Sequence, residues 1–147
     1  MTVPVESLPR EWFRRVWNDL DANAIDELAA ADCVFHGLDD EPIIGPAGFR
    51  AFHEHFAGAF REISVTVLHE VTSGDMVGLF AEVEAIPPGR HARVSFQGAA
   101  FARVRGRQLI ESWDCWDFLG LLERMEVMPQ QSLGMALQGR LRSTVAP

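Results

Sequence analysis

Hydrophobic side chains in the N-terminal part of the chain recur at the spacing of an α-helix. One apolar face begins after Ser7, a residue that can cap a helix, and another begins after Gly45-Pro46, where proline suits the first helical turn. A short helix over residues 24–30 lies between them. The two faces consist of Trp12, Phe13, Val16, Trp17 and Leu20, and of Phe49, Phe52, His53, Phe56 and Phe60. The pattern predicts three helices, two of which bury a broad apolar face.

From Ile63 onward the period of the apolar positions changes to two, which is typical of strands with one buried face. The predicted strands are a short one over 33–36 and longer ones over 63–71, 76–85, 91–104 and 108–117. Helices followed by successive strands indicate an α+β fold, in which three N-terminal helices pack on a curved antiparallel sheet. The concave space between them would suit a small molecule. Gly98, inside the longest strand, suggests a bulge or a bend.

Composition and charge limit the classes of function. The 147 residues suffice for one domain, predicted over residues 1–128, and residues 129–147 are predicted to be an extended or partly disordered tail. The net charge of −8 would repel a phosphate backbone, so no nucleic-acid partner is expected. No apolar run approaches about 20 residues and no signal-peptide pattern is visible, so a cytoplasmic protein without a membrane partner is expected. Two cysteines without a Cys-x-x-Cys pair indicate no metal site.

The predicted last strand, QLIESWDCWD over residues 108–117, contains three carboxylates among bulky apolar side chains. Strands disfavour Asp, so each acid is either solvated or held in a pocket where a carboxylate takes part in chemistry. A carboxyl group beside Trp and Phe is desolvated, which raises its pKa and suits it to general acid–base catalysis near neutral pH. The alternative for Asp117 is that it merely caps the turn before Phe118-Leu119-Gly120.

The register of this strand decides which acid faces inward. With a two-residue turn at Arg105-Gly106, Glu111 and Asp117 share the apolar, inward face, and Asp114 points outward. Asp117 is then the candidate catalyst, and Glu111 is a second buried acid that faces the ligand. A longer turn, or a bulge at Gly98, would shift this pairing.

Further side chains are predicted to reach a ligand. Trp113 shares the predicted inward face, while His53 and Phe56 lie on the apolar face of the third helix. Gln97 could hydrogen-bond a substrate carbonyl if Gly98 forms a bulge. The outer face of the sheet mixes arginine with apolar side chains and is expected to form a homodimer interface: Arg93, Phe101, Arg103, Ile110 and Trp116.

Four stretches resemble the SnoaL-like polyketide cyclases of the NTF2-like superfamily. Val16-Trp17-Asn18 and Asp26-Glu27-Leu28 resemble the first helices of that family, and residues 44–52, IGPAGFRAF, resemble the start of its third helix. Ser73-Gly74-Asp75-Met76-Val77 is similar to a family turn. The family ending is matched by three segments: Phe101-Ala102-Arg103-Val104, Ile110-Glu111-Ser112-Trp113 and Asp117-Phe118-Leu119-Gly120-Leu121-Leu122.

The resemblance implies an α+β cone in which three helices and a curved antiparallel sheet enclose a deep apolar pocket, with no metal or organic cofactor. It implies ring closure by intramolecular aldol condensation on polyketide esters, with an aspartate as general acid–base. The matching aspartate is Asp117, and Asp114 is the second candidate. His36 matches a position at which many members place a polar pocket residue.

The sequence therefore supports two alternative functions from different classes. The first is a cofactor-independent cyclase-like enzyme that transfers a proton on a small hydrophobic carbonyl compound. The second is a non-catalytic dimeric module that binds a hydrophobic small molecule in the same cone. A third reading, hydrolase or isomerase chemistry, requires Asp117 and Glu111 to reach one common site.

Overall fold

The computed structural model describes residues 5–141. Within them the helices are α1 (Leu8–Trp12), which continues directly as a π-helical segment (Phe13–Asn18), α2 (Asn23–Leu28), α3 (Gly45–Gly58), α4 (Phe118–Arg124) and α5 (Ser132–Leu137). The strands are β1 (Ala29–His36), β2 (Ile43–Ile44), β3 (Glu62–Ser73), β4 (Met76–Ile86), β5 (Val94–Arg105) and β6 (Gln108–Trp116). The predicted α+β layout is confirmed.

The six strands form one curved sheet in the order β2-β1-β6-β5-β4-β3. Strands β3 to β6 pair antiparallel with their neighbours along the chain, as predicted from the turns between them. The prediction of a wholly antiparallel sheet is wrong at one place, because β1 and β6 run parallel. These two strands are far apart in sequence, so the connection between them is long enough for a parallel crossover.

Aromatic side chains fill the space between the helices and the concave face of the sheet. Phe49 of α3 is buried and meets Trp12 at a ring-centroid distance of 4.8 Å and Trp17 at 6.2 Å. Phe35 of β1 lies 4.6 Å from Phe49. Edge-to-face and tilted pairs of this kind stabilise the core beyond simple burial of area. The apolar faces of the first and third helices are thus buried as their spacing predicts, and the structure shows that they contact each other on the sheet.

The π-helical segment is held in place by two side-chain contacts. Asn18 donates from Nδ2 to the Val65 carbonyl at 2.9 Å and accepts from the Val65 amide at 2.6 Å. His53 donates from Nε2 to the Val16 carbonyl at 2.8 Å, and its burial lowers the pKa of the ring. The amide of Asn18 therefore completes the hydrogen bonding of the edge strand β3 where no further strand pairs with it.

The hairpin between β5 and β6 differs from the prediction in two ways. The turn residues are Gly106 and Arg107, with φ of 54° and 66°, so that Arg105 pairs with Gln108. Each β5 residue thus pairs two positions further along β6 than predicted, since Val104 pairs with Leu109. A shift of two residues leaves the faces of β6 unchanged, because side chains alternate with a period of two. Ile110 then forms a bulge, so that Glu111 pairs with Arg103. One extra residue exchanges the two faces beyond the bulge, and the predicted register is wrong there.

The C-terminal part is more helical than predicted. Residues 129–147 were expected to be extended or partly disordered, but Ser132–Leu137 forms α5, and residues 142–147 lie outside the described residues. The preceding helix, α4, follows β6 directly, and Asp117 is the one residue between them. None of the helices between residues 5 and 141 has the length and apolar character that crossing a membrane requires.

Candidate active site

A cavity lies between the first helix with its π-helical extension, α3 and the concave face of the sheet. The space between its walls, counted out to the open mouth, is about 710 Å³. We call this space the slot; a concave, mostly apolar space of this size suits a small molecule. Its lining is almost wholly apolar, and includes Trp12, Trp17, Phe49, Phe52, Phe56, Phe96 and Phe118.

Asp114 supplies the one carboxylate in this lining, as far as the described residues show, and Ser112 supplies the hydroxyl beside it. Both side chains point inward from β6 because they lie beyond the Ile110 bulge. Ser112 Oγ donates to Asp114 Oδ2 at 3.0 Å, and Trp116 Nε1 donates to Asp114 Oδ1 at 3.1 Å. Each carboxylate oxygen thus has one protein donor and keeps a second lone pair.

The apolar walls change the acidity of this carboxyl group. Burial raises the pKa of Asp114 to about 6, because the charged form loses hydration that the cavity does not replace. The hydrogen bonds from Trp116 and Ser112 and the charge of His36 lower this pKa in part. At neutral pH the group is mostly ionised, yet it is a stronger base than an exposed aspartate. That combination suits a group that takes and returns a proton.

Gly98 makes the placement of Trp116 possible. The two residues pair across β5 and β6, and a Cβ atom at Gly98 would lie only 2.4 Å from Cε3 of the Trp116 ring. The indole therefore lies flat over the glycine, with Phe13 at 5.9 Å and Phe96 at 6.3 Å between ring centroids. The predicted bulge at Gly98 is absent; this glycine instead provides the room that aims the indole N–H at Asp114.

Asp117, the first candidate for catalysis, lies outside the cavity. Its Oδ1 accepts from the Gly120 amide at 2.9 Å and caps α4, while Arg124 lies 3.8 Å from Oδ2. The side chain is 53% exposed. The prediction that Asp117 faces inward is therefore wrong, and the alternative that it caps the following turn describes its position. The second candidate, Asp114, occupies the inward position.

Glu111, Trp113 and His36, all predicted to face a ligand, lie together on the outer face of the sheet. Glu111 Oε2 and His36 Nε2 are 2.7 Å apart, and the His36 ring stacks on Trp113 at 5.7 Å. The placement of all three in the pocket is wrong. The Ile110 bulge turns Glu111 and Trp113 outward, and His36 points outward because its neighbour Phe35 on β1 faces the cavity. Glu111 and Asp117 do not converge, so the geometry for hydrolase or isomerase chemistry between them is absent.

The remaining predicted residues divide between the two sides of the sheet. Phe56 lines the cavity as predicted. His53 is buried behind Trp17 and bonds to the Val16 carbonyl, so it supports the wall without reaching the ligand space. Gln97 points outward and donates to Glu82 at 3.3 Å, which contradicts its predicted contact with a substrate.

Two residues of the site were missed by sequence reasoning. Trp116 was expected on the outer face and Ser112 was given no role, although each lies two residues from Asp114 in a strand. That spacing always places three side chains on one face, whatever the register. The sequence therefore indicated that Ser112, Asp114 and Trp116 share one face of the strand. It did not indicate whether this face is turned toward the helices or away from them.

Comparison with known proteins identifies the family. Residues 8–125 match the family model described as SnoaL-like polyketide cyclase. The chain belongs to the SnoaL-like polyketide cyclase family. The match covers most of the chain, and it confirms the resemblance inferred from the four sequence stretches. Among curated proteins, none matches this chain at a significant level.

Solved structures of SnoaL-like and related proteins share the fold. Wild-type IdmH, a proposed polyketide cyclase from Streptomyces antibioticus, superposes with a TM-score of 0.71 at 20% identity, over 81% of this chain and 96% of that chain. A proposed polyketide cyclase from Bacillus cereus has a TM-score of 0.74 at 15% identity, covering 82% and 79%. AclR, a proposed hydroxylase from Streptomyces galilaeus, has 0.70 at 24% identity, covering 83% and 95%. The TM-scores confirm that the fold is shared, while identities this low do not indicate a shared reaction.

The cavity offers little to a metal ion. Between residues 5 and 141, no three His, Cys, Asp or Glu side chains converge in a way that could hold one. Asp114 is the single carboxylate of the described lining, and its nearest polar neighbours, Ser112 and Trp116, both donate hydrogen bonds to it.

Proposed function

We propose that this SnoaL-like protein is a cofactor-independent cyclase-like enzyme in which Asp114 is the general acid–base. The observation that supports it is the position of one carboxylate, with a pKa raised to about 6, in an otherwise apolar cavity. The substrate class is a small hydrophobic molecule with a carbonyl group. Family membership supports ring closure as the reaction type.

The reaction follows from the groups that line the slot. The Asp114 carboxylate removes a proton from the carbon next to a substrate carbonyl, which leaves an enolate. The enolate carbon attacks a second carbonyl of the same molecule, so that one carbon–carbon bond forms and an alkoxide develops. The protonated Asp114 returns its proton to that alkoxide. No electron is gained or lost, and the aspartate ends in its starting state.

The surrounding residues assist by orientation. Ser112 and Trp116 hold the carboxyl group in one position, which lowers the entropic cost of the proton transfer. The aromatic walls hold the chain of a flexible substrate in a folded form and limit the access of water to the enolate. The sequence contains no tyrosine that could donate to the enolate oxygen. The protonated Asp114 is thus the donor that the cavity offers to the developing alkoxide.

Deuterium exchange on a simple ketone tests this proposal without knowledge of the natural substrate. The probe is 2-tetralone, a flat apolar ketone, whose α-protons exchange with D₂O and are followed by NMR. We expect the protein to accelerate exchange, and Asp114→Asn to reduce this acceleration by roughly 10²–10⁴-fold. Asp117→Asn is the matched control, since it makes the same atomic change outside the cavity and should retain exchange.

Binding of the probe is measured in parallel by the quenching of tryptophan fluorescence. Trp12, Trp17 and Trp116 all line the cavity and report on its occupant. The proposal requires Asp114→Asn to bind 2-tetralone like the wild type while losing exchange. Undiminished exchange in Asp114→Asn, or loss of exchange in Asp117→Asn alone, would refute the assignment of Asp114.

A second candidate function is ligand binding without turnover. It is favoured by the hydrogen bonds to both oxygens of Asp114, which satisfy the carboxylate within the protein. The same two measurements separate the candidates. Saturable binding of 2-tetralone with exchange no faster than in buffer would support the binding module and contradict the enzyme.

A further inference from the structure

Ser112 has the only hydroxyl group among the residues between 5 and 141 that line the slot. Its side chain is buried, at 6% exposure, and its partners across the sheet are Phe35 on β1 and Ala102 on β5. Both neighbours are apolar, and Ser112 Oγ donates to Asp114 Oδ2 at 3.0 Å. The hydroxyl therefore has one charged acceptor beside it, and that acceptor is the proposed base.

The two donors that hold Asp114 differ in how freely they can turn. Trp116 donates to Oδ1 from an indole N–H that is fixed in the plane of its ring, and the ring is packed over Gly98. The hydroxyl hydrogen of Ser112 points elsewhere after a simple rotation about the Cβ–Oγ bond. The hydrogen bond to Oδ1 is thus fixed, whereas the hydrogen bond to Oδ2 can be exchanged for another during a reaction.

The proposed reaction moves negative charge from Asp114 onto the substrate. Before the proton transfer, the carboxylate is the charged acceptor next to Ser112. After the transfer, Asp114 is neutral, and the charge lies largely on the enolate oxygen, two bonds from the carbon that lost its proton. A hydrogen bond to a charged group is stronger than one to a neutral group. The Ser112 hydroxyl therefore gains free energy when it turns from Asp114 to the enolate oxygen.

The position of Ser112 suits this change of partner. A carbon that gives its proton to Oδ2 must lie against that atom, and its carbonyl oxygen then lies within reach of a hydroxyl 3.0 Å from Oδ2. The other indole N–H groups of the described lining belong to Trp12 and Trp17, on the helical wall that faces β6 across the slot. Ser112 is thus the rotatable donor on the same wall as the base.

We propose that Ser112 is the donor that stabilises the enolate oxygen, a catalytic role that rests on the proposed function of Asp114. Asp114 takes the substrate proton on Oδ2, and the Ser112 O–H turns from Oδ2 to the enolate oxygen. When the carbon–carbon bond forms, the enolate oxygen becomes a carbonyl oxygen again and Oδ2–H gives its proton to the alkoxide. The Ser112 hydroxyl then returns to the carboxylate. Its own proton stays on Oγ throughout, so the balance of the reaction is unchanged.

The rate of 2-tetralone exchange at the high-pH plateau, where Asp114 is fully ionised, tests this role. Ser112→Ala should lower the plateau rate by roughly 10²-fold, the magnitude typical of removing one donor to an oxyanion. The dissociation constant of 2-tetralone should stay close to the wild-type value. A merely structural role predicts the opposite sign, because loss of a hydrogen bond that lowers the pKa of Asp114 makes the carboxylate a stronger base.

Ser112→Thr and Ser112→Val form a matched pair, because the two side chains have nearly the same shape and both suit a strand. Only Ser112→Thr keeps the hydroxyl. We expect Ser112→Thr to retain most of the plateau rate and Ser112→Val to lose as much as Ser112→Ala, with unchanged circular dichroism spectra. A plateau rate in Ser112→Ala that equals or exceeds the wild-type rate would overturn the proposal, and so would equal rates in Ser112→Thr and Ser112→Val.

The results for Ser112 and Asp114 can be told apart. If Asp114→Asn loses exchange while Ser112→Ala keeps the wild-type plateau, Asp114 remains the base and only the role of Ser112 is wrong. If the wild type does not accelerate exchange at all, the proposed function fails, and the role of Ser112 fails with it because no enolate forms.

Discussion

The raised pKa of Asp114 predicts that removing its charge stabilises the protein. In Asp114→Asn the side chain keeps its size and can keep both hydrogen bonds: its oxygen accepts from Trp116, and its amide donates to Ser112 Oγ. The substitution removes the cost of holding a carboxylate in an apolar slot. It should therefore abolish the proposed catalysis and increase the free energy of unfolding together, as expected where a site is strained for function.

The magnitude follows from the shift between the folded and unfolded states. The pKa of Asp114 rises from 3.8 to about 6 on folding, and each unit corresponds to about 1.4 kcal/mol. Because the folded pKa is the higher one, this carboxyl group favours the folded state below pH 3.8, and that contribution is lost as pH rises through about 6. The stability advantage of Asp114→Asn over the wild type should thus grow by about 2–3 kcal/mol as the pH rises from 4 to 8. This is an upper limit, since Asp114 is only partly buried.

Thermal and urea unfolding at pH 4 and at pH 8 measure this difference. At pH 8 we expect Asp114→Asn to melt roughly 5–10 °C above the wild type, and at pH 4 the two Tm values should nearly coincide. Comparison of variant and wild type at each pH cancels the titration of all other groups. Asp117→Asn is the control, because asparagine caps a helix as well as aspartate does and should change the Tm little at either pH. A gain of equal size at both pH values, or a loss at pH 8, would refute the desolvation argument.

Two further predictions concern the residues that hold Asp114. Trp116→Phe removes a hydrogen bond that lowers the pKa of Asp114. The midpoint of the pH profile for 2-tetralone exchange should therefore move to higher pH. An unchanged midpoint would show that the indole does not affect the pKa of Asp114. Gly98→Ala places a Cβ atom 2.6 Å from the Cys115 carbonyl oxygen and 2.4 Å from the Trp116 ring. It should lower the free energy of unfolding in urea by about 1–3 kcal/mol. Gly58→Ala is the control: its Cβ atom would meet nothing within 4 Å, so the substitution should be neutral or stabilising.

The helices and strands were predictable because their signals are local. Proline after Gly45 starts α3, the apolar stripe of Phe49, Phe52 and Phe56 defines its buried face, and Ser73-Gly74-Asp75 ends β3 as expected. The parallel pairing of β1 with β6 had no local signal, because it joins strands that are distant in sequence. The helix α5 escaped detection because its six residues are too few for a clear period.

The candidate site was predictable in composition but not in direction. The sequence located the acids, the tryptophans and the apolar helix faces that surround a ligand. The sequence reading placed the turn one residue early, which shifts the strand pairing by two, because Arg107 adopts a left-handed conformation, φ 66°, that arginine rarely takes. That error alone would have been harmless. The bulge at Ile110 decided the outcome, and a bulge depends on how the whole sheet curves.

The bulge also sets how the hairpin tolerates changes in length. Ile110 is the residue without a partner on β5, while Leu109 before it pairs with Val104 and Glu111 after it pairs with Arg103. Deleting Ile110 would leave an ordinary alternation in which Ser112, Asp114 and Trp116 still face the cavity. Straightening the strand with Ile110 retained would instead present Glu111 and Trp113 to the ligand. The same ten residues can therefore encode two different pockets, and the choice between them depends on a single unpaired isoleucine.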